Sequence, residues 1–140
     1  MICYTKELVQ IEKGLQSQAF VDFYNGKVNH DFTIGILSPD AQALLGSRSS
    51  TVLLSRISLD DHKIKHPEIG LADYRLISKI LSEGQMWQIP DKQERVIFMM
   101  VGSVTYRAGI KRTMDCERNY LLTLFVNTKS KPPKGAIRIR

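Results

Sequence analysis

Two histidines and two lysines crowd into five residues, His62-Lys63-Ile64-Lys65-His66. Imidazole carries protons near neutral pH and an ammonium neutralises phosphate, which together are what metal-free phosphodiester cleavage needs. A second cationic group stands in Val104–Arg112, which alternates. Val104, Tyr106, Ala108 and Ile110 fall on one face, and Thr105, Arg107, Gly109 and Lys111 on the other. On an extended strand Arg107 and Lys111 lie about 13 Å apart, a span that suits two phosphates. Thr123 interrupts a later apolar run and shares their face if the register allows. Each group also has a plainer role. His66 before Pro67 suits a turn, His62 a helix surface, and Arg107 and Lys111 the solvated side of an antiparallel sheet.

Other chemistries fit less well. The chain has no Walker loop, no GxGxxG, no GxSxG elbow and no HExxH helix. Asp60-Asp61 reads as a helix start rather than a two-metal nuclease centre. Three scattered histidines and two cysteines, Cys3 and Cys116, show no ligand spacing. We therefore expect no metal, no cofactor and two free thiols. If the chain cuts nucleic acid, the 2′-hydroxyl of RNA is the favoured nucleophile.

The elements that must position these groups differ between the two halves. In the first 50 residues, Leu8–Ile11, Ala19–Tyr24 and Phe32–Leu37 are rich in aromatic and branched residues and read as strands, with Asn25-Gly26 as a hairpin turn. Ser38 caps a short helix that opens on Pro39 and closes at Gly46. Thr51–Arg56 reads as a strand. Ser58 then caps a short helix, and Pro67 disfavours helical backbone at His66, which argues against one helix face for both histidines. Leu71, Tyr74, Ile77 and Leu81 predict a helix over 71–82 with one stripe on a core. Met86–Ile89, Arg95–Val101, Val104–Arg112 and Arg118–Asn127 read as an antiparallel meander. The expected fold class is α+β: short N-terminal strands and helices followed by a four-stranded antiparallel sheet.

At 140 residues the chain suits one domain. We expect it over 1–128, with 129–140 as a basic tail or edge strand. That last segment holds Lys129, Lys131, Lys134, Arg138 and Arg140 and no acid, which is +5 of the net +6. Such a segment attracts phosphate backbones by counterion release, and serves equally as a solubilising tail. No apolar run approaches the roughly 20 residues of a membrane helix. The N-terminus lacks a basic region followed by an apolar core, so a cytoplasmic protein is expected.

Leu53-Leu54-Ser55, a short charged helix, Lys65-His66-Pro67-Glu68-Ile69, Asp73-Tyr74 and a β-meander follow in one order. This succession resembles the phage and mobile-element branch of the barnase–EndoU–colicin–RelE-like nucleases over roughly Phe32 to Asn127. The resemblance implies a compact α+β fold and a metal-independent ribonuclease, toxin-like in kind, with the sheet as active face. Matched by position, Ser55, His66, Lys111 and Thr123 are the catalytic candidates. Arg107 is a substrate-binding candidate, with Lys63, Lys65 and His62 more weakly placed. The implied partner is RNA or tRNA, together with a host or immunity protein. The same features suit a phage protein that binds a host protein or nucleic acid without chemistry, such as an inhibitor of host defence, or a virion domain.

Overall fold

The computed structural model describes residues 2–140, with side chains from Tyr4 onward, so the Cys3 thiol lies outside the described residues. Among the described residues, seven strands form one mixed sheet in the order β1-β2-β6-β5-β4-β3-β7. The strands are β1 (Phe32–Ile36), β2 (Thr51–Leu54), β3 (Gln85–Gln88), β4 (Arg95–Met100), β5 (Thr105–Arg112), β6 (Asn119–Asn127) and β7 (Ile137–Arg138). The α+β class therefore holds, and the four-stranded sheet is corrected to seven strands. The meander β3–β6 is extended at one side because β2 pairs parallel to β6 and carries β1 antiparallel beside it. At the other side β7 pairs with β3, so two residues of the basic C-terminal segment, Ile137 and Arg138, form an edge strand.

Two expected strands are helices. Tyr4, Leu8, Ile11 and Leu15 recur at three- and four-residue spacing, and the C-terminal part of α1 (Ile2–Leu15) lays this stripe on the core through Ile11 and the fully buried Leu15. Phe20 and Phe23 do the same in α2 (Gln18–Tyr24). Asn25-Gly26 ends this helix instead of turning a hairpin. Gly26 takes the left-handed conformation, φ +79°, and its N–H and that of Lys27 reach back to Phe23 and Asp22. α3 (Pro39–Leu45) starts on Ser38, whose Oγ accepts from the Ala41 N–H, and stops at Gly46, as its residues predict.

α4 (Arg56–Lys65) begins three residues earlier than expected. Its cap is Ser55, whose Oγ accepts the Ser58 N–H at 3.0 Å, so Ser58 is inside the helix. The helix expected over 71–82 is two pieces, α5 (Leu71–Tyr74) and α6 (Ile77–Glu83), yet Tyr74, Ile77, Ile80 and Leu81 still bury one stripe. A tight turn from Asp73 C=O to Leu76 N–H separates them. No described helix is long and apolar enough to cross a membrane.

The core lies on one face of the sheet, where Val52, Phe98, Ala108, Ile110, Leu121 and Leu124 meet Leu15, Phe20, Phe23, Tyr74 and Ile80. The opposite face lies outside this core, although Ile97, Met99 and Thr105 on it are buried as well. Residues 128–136 form a strap from β6 to β7, and the Arg107 guanidinium donates to the Lys131 carbonyl at 3.1 Å, which pins the strap to that face.

Candidate functional site

The register of β5 and β6 decides which polar groups share the open face. Arg107 stands opposite Phe125, Gly109 opposite Thr123, and Lys111 opposite Tyr120. Thr123 therefore sits between Arg107 and Lys111 on their own side of the sheet, as it must for the three to act on one ligand. The ladder slips between Gly109 and Ile110, where Leu122 is the extra residue of a bulge. Gly109 makes room for the threonine: a Cβ there would lie 2.9 Å from Thr123 Oγ1.

His66 reaches the Arg107 end of this face. It is the C-cap of α4, and its ring stands edge-on to Phe125 at 5.2 Å, while the Arg107 guanidinium lies 5.6 Å over the same ring. His66 Nδ1 is 3.3 Å from Glu68 Oε2. Together with Ser130 and Lys131 of the strap, these residues line a cleft of ≈ 390 Å³. Burial holds the Arg107 guanidinium below its ordinary range, and its Nε is buried with no partner. Lys111 is two pleats away at the other end, outside every ion pair among the described residues.

Pro67 does not separate the two histidines. The His66 N–H still donates to the His62 carbonyl at 2.7 Å, and the rings stand 4.9 Å apart. A residue before proline loses the helical region, but a C-cap needs only its N–H, so α4 carries His62 and His66 on one side after all.

His62 is buried more deeply, bonded through Nδ1 to the Tyr74 hydroxyl. Burial first, and the neighbouring His66 second, hold its imidazole below the usual range. Burial likewise pushes the Tyr74 hydroxyl up, with Tyr24 and Asp73 adding to it, so Tyr74 keeps its proton for the bond to His62. In unfolded chain an imidazole takes up a proton near pH 6.5 that the folded His62 ring resists. His62 therefore leaves stability intact above about pH 6.5 and removes it progressively below that value. A His62→Gln chain is expected to lose less melting temperature than the parent between about pH 7.5 and 5.5; equal losses would show that His62 carries none of this dependence.

Comparison with known proteins returns no match to any family model, any curated protein or any solved structure. The site is therefore read from its own geometry.

That geometry gives the Asp73-Tyr74 pair a physical role. Asp73 Oδ2 accepts the Gly70 N–H at 2.8 Å and so starts α5, while its Oδ1 accepts the Tyr106 hydroxyl at 2.9 Å from β5. Tyr74 holds His62. Two adjacent residues thus fix the histidine-bearing helix against the strand that carries Arg107 and Lys111. Phe125, Glu68 and Tyr106 escaped the sequence reading. Tyr106 had a signal, a hydroxyl on the apolar side of the β5 alternation, where a buried polar tip needs a partner.

The remaining candidates stand apart. Ser55 is at the opposite end of α4 from His66, about 16 Å away along the axis, with its hydroxyl used as the cap. Lys63 donates to the Tyr24 carbonyl at 2.9 Å and lies 4.2 Å over the Tyr24 ring. Lys65 pairs with Asp61 at 3.0 Å on the surface. Among the described residues no three of His, Cys, Asp and Glu are grouped so as to hold a metal ion. Ser55→Ala is expected to cost about 1 kcal/mol in urea unfolding, and Ser55→Asp to restore most of it. If Ser55 also works on substrate, the aspartate chain stays as inactive as the alanine one.

Proposed function

We propose that the chain is a metal-independent endoribonuclease of the barnase–EndoU–colicin–RelE-like kind, acting on RNA across the open face of its sheet. The observation that carries this reading is the run Arg107, Thr123, Lys111 on one face, with the His66–Glu68 pair at its end. His66 carries the proton. The RNA 2′-hydroxyl loses a proton as its oxygen attacks phosphorus, the bond from phosphorus to the 5′-oxygen breaks, and that oxygen leaves protonated. The products are a 2′,3′-cyclic phosphate and a 5′-hydroxyl. Lys111 offsets the charge that builds on the phosphorane oxygens, Thr123 donates to one of them, and Arg107 holds a flanking phosphate.

The test is incubation of purified protein with single-stranded RNA and with tRNA in EDTA. Cleavage that leaves cyclic-phosphate ends is expected. Activity that EDTA abolishes would overturn the mechanism. A second reading, nucleic-acid binding without chemistry, draws on the Arg107 guanidinium being already engaged by the Lys131 carbonyl. Strongly salt-dependent RNA binding with no cleavage would favour it.

A further inference from the structure

No strand of the sheet contains an aspartate or a glutamate. The strands therefore bring no carboxylate to this face; those at its margin come from loops, Glu68 beside His66 and Asp31, which accepts the Tyr120 hydroxyl at 2.9 Å. Tyr120, Lys111 and Arg95 form one row across β6, β5 and β4. The next row runs through Thr123, Gly109, Ile97, Trp87 and Arg138 into β3 and β7, with Ile97 buried at its centre and the open positions on either side of it. Arg95 is half-buried, and its Nε is buried with no partner. Tyr120 and Trp87 are likewise partly open. They stand about 16 Å apart, from three strand spacings and one two-residue step.

We propose that this wider face, reaching past the cleft to β3 and β7, is a platform for single-stranded RNA. Bases stack on Trp87 and Tyr120, and the backbone follows Lys111, Arg95 and Arg138. An aromatic side chain can take a base only where that base is unstacked from its neighbours, and an A-form duplex offers shape and backbone instead. The separation of the two rings suits about two or three nucleotides, the number that aromatic side chains stack on the four-stranded sheets of RNA-recognition modules. The inference rests on the ribonuclease reading for its ligand and extends it to a strand state and to residues outside the cleavage cleft.

Trp87 is the chain's one tryptophan, so its emission reports on the platform directly. The full chain is titrated with a short 2′-O-methyl oligouridine, which lacks the nucleophile and cannot be cut, and with a 2′-O-methyl duplex of equal length. The single strand is expected to quench Trp87 and to bind at least tenfold more tightly than the duplex. Tyr120→Ala is expected to weaken binding about tenfold, and Trp87→Ala likewise when read by anisotropy of a labelled strand, with Trp87→Phe close to the parent. Arg138→Ala lowers the slope of log affinity against log salt by about 0.7. Equal affinity for the duplex, binding that leaves Trp87 emission and the Tyr120→Ala affinity unchanged, or no binding would overturn the platform. Cleavage of ordinary RNA is scored separately. Cutting without quenching removes the platform and keeps the nuclease, and quenching without cutting does the reverse.

Discussion

His66→Ala is expected to lower RNA cleavage in EDTA by roughly 10²–10⁴-fold, the usual contribution of a positioned proton carrier. Its ring is the one imidazole that borders the open cleft, held by Glu68 on one nitrogen and by Phe125 on its edge. His62 stands behind it with Nδ1 bound to Tyr74, so it is a poor substitute. The loss should fall on turnover, with binding of an uncleavable strand little changed. On the proposed mechanism Lys111→Ala is expected to lose roughly 10²–10³-fold, since Lys111 lies outside every ion pair among the described residues and shares the face of Thr123. Lys111→Arg keeps the charge and should recover part of that loss. Arg107→Ala should cost less than either, since its guanidinium already spends one donor on the Lys131 carbonyl. Cleavage that survives both His66→Ala and Lys111→Ala would remove the mechanism, whatever enzyme activity the preparation holds.

Gly84→Ala should be among the most destabilising small substitutions in the chain. Gly84 joins α6 to β3, and a Cβ there would stand 2.4 Å from the Ile80 carbonyl oxygen and 2.9 Å from that of Met99. Both are backbone atoms, one ending a helix and the other inside the sheet, so neither can swing aside. We expect a loss of about 3 kcal/mol, at the upper end for overpacking, seen as a lower urea midpoint. Gly14→Ala is the matched control. It lies inside α1 with nothing within 4 Å of its would-be Cβ, and alanine there should stabilise by about 0.5–1 kcal/mol. Similar midpoints for the two chains would mean that the α6–β3 junction yields more easily than its contacts suggest.

How much of this was legible from residues follows from the range of each signal. The period-two alternation of β5 announced its two faces, and the sheet keeps them from Tyr106 onward: Ala108 and Ile110 are buried in the core and Arg107 and Lys111 lie opposite, whereas Val104 is exposed and Thr105 buried. The α3 caps were legible because both ends use local chemistry. The N-terminal segments were misread because Phe20 and Phe23 satisfy a strand's composition as well as a helix's spacing, and Asn-Gly ends helices as readily as it turns hairpins. The parallel pairing of Val52 with Asn119 left no local mark. Nor did the bulge at Leu122. Without it, strict alternation would turn Thr123 away from the face of Tyr120 and Lys111, and nothing in an apolar run reveals one added residue. The tie from Tyr74 to His62 depends on where two short helices meet, which neither helix's own periodicity encodes.

The position of β6 has a consequence for how the protein comes into being. It lies inside the sheet, between β2 and β5, although it is nearly the last strand in chain order. A growing chain meets its pairings in order of synthesis, and long-range ones form last. β1 and β2 must therefore wait for residues 119–127 before they join β5, and Thr123 and Phe125 arrive only then. Until that moment His66 has no Phe125 to stand against and Lys111 no Thr123 beside it. A nascent chain long enough to carry the histidines and both cations would still lack the assembled face on which Arg107, Thr123 and Lys111 stand together, so synthesis itself delays that arrangement until the sheet can close.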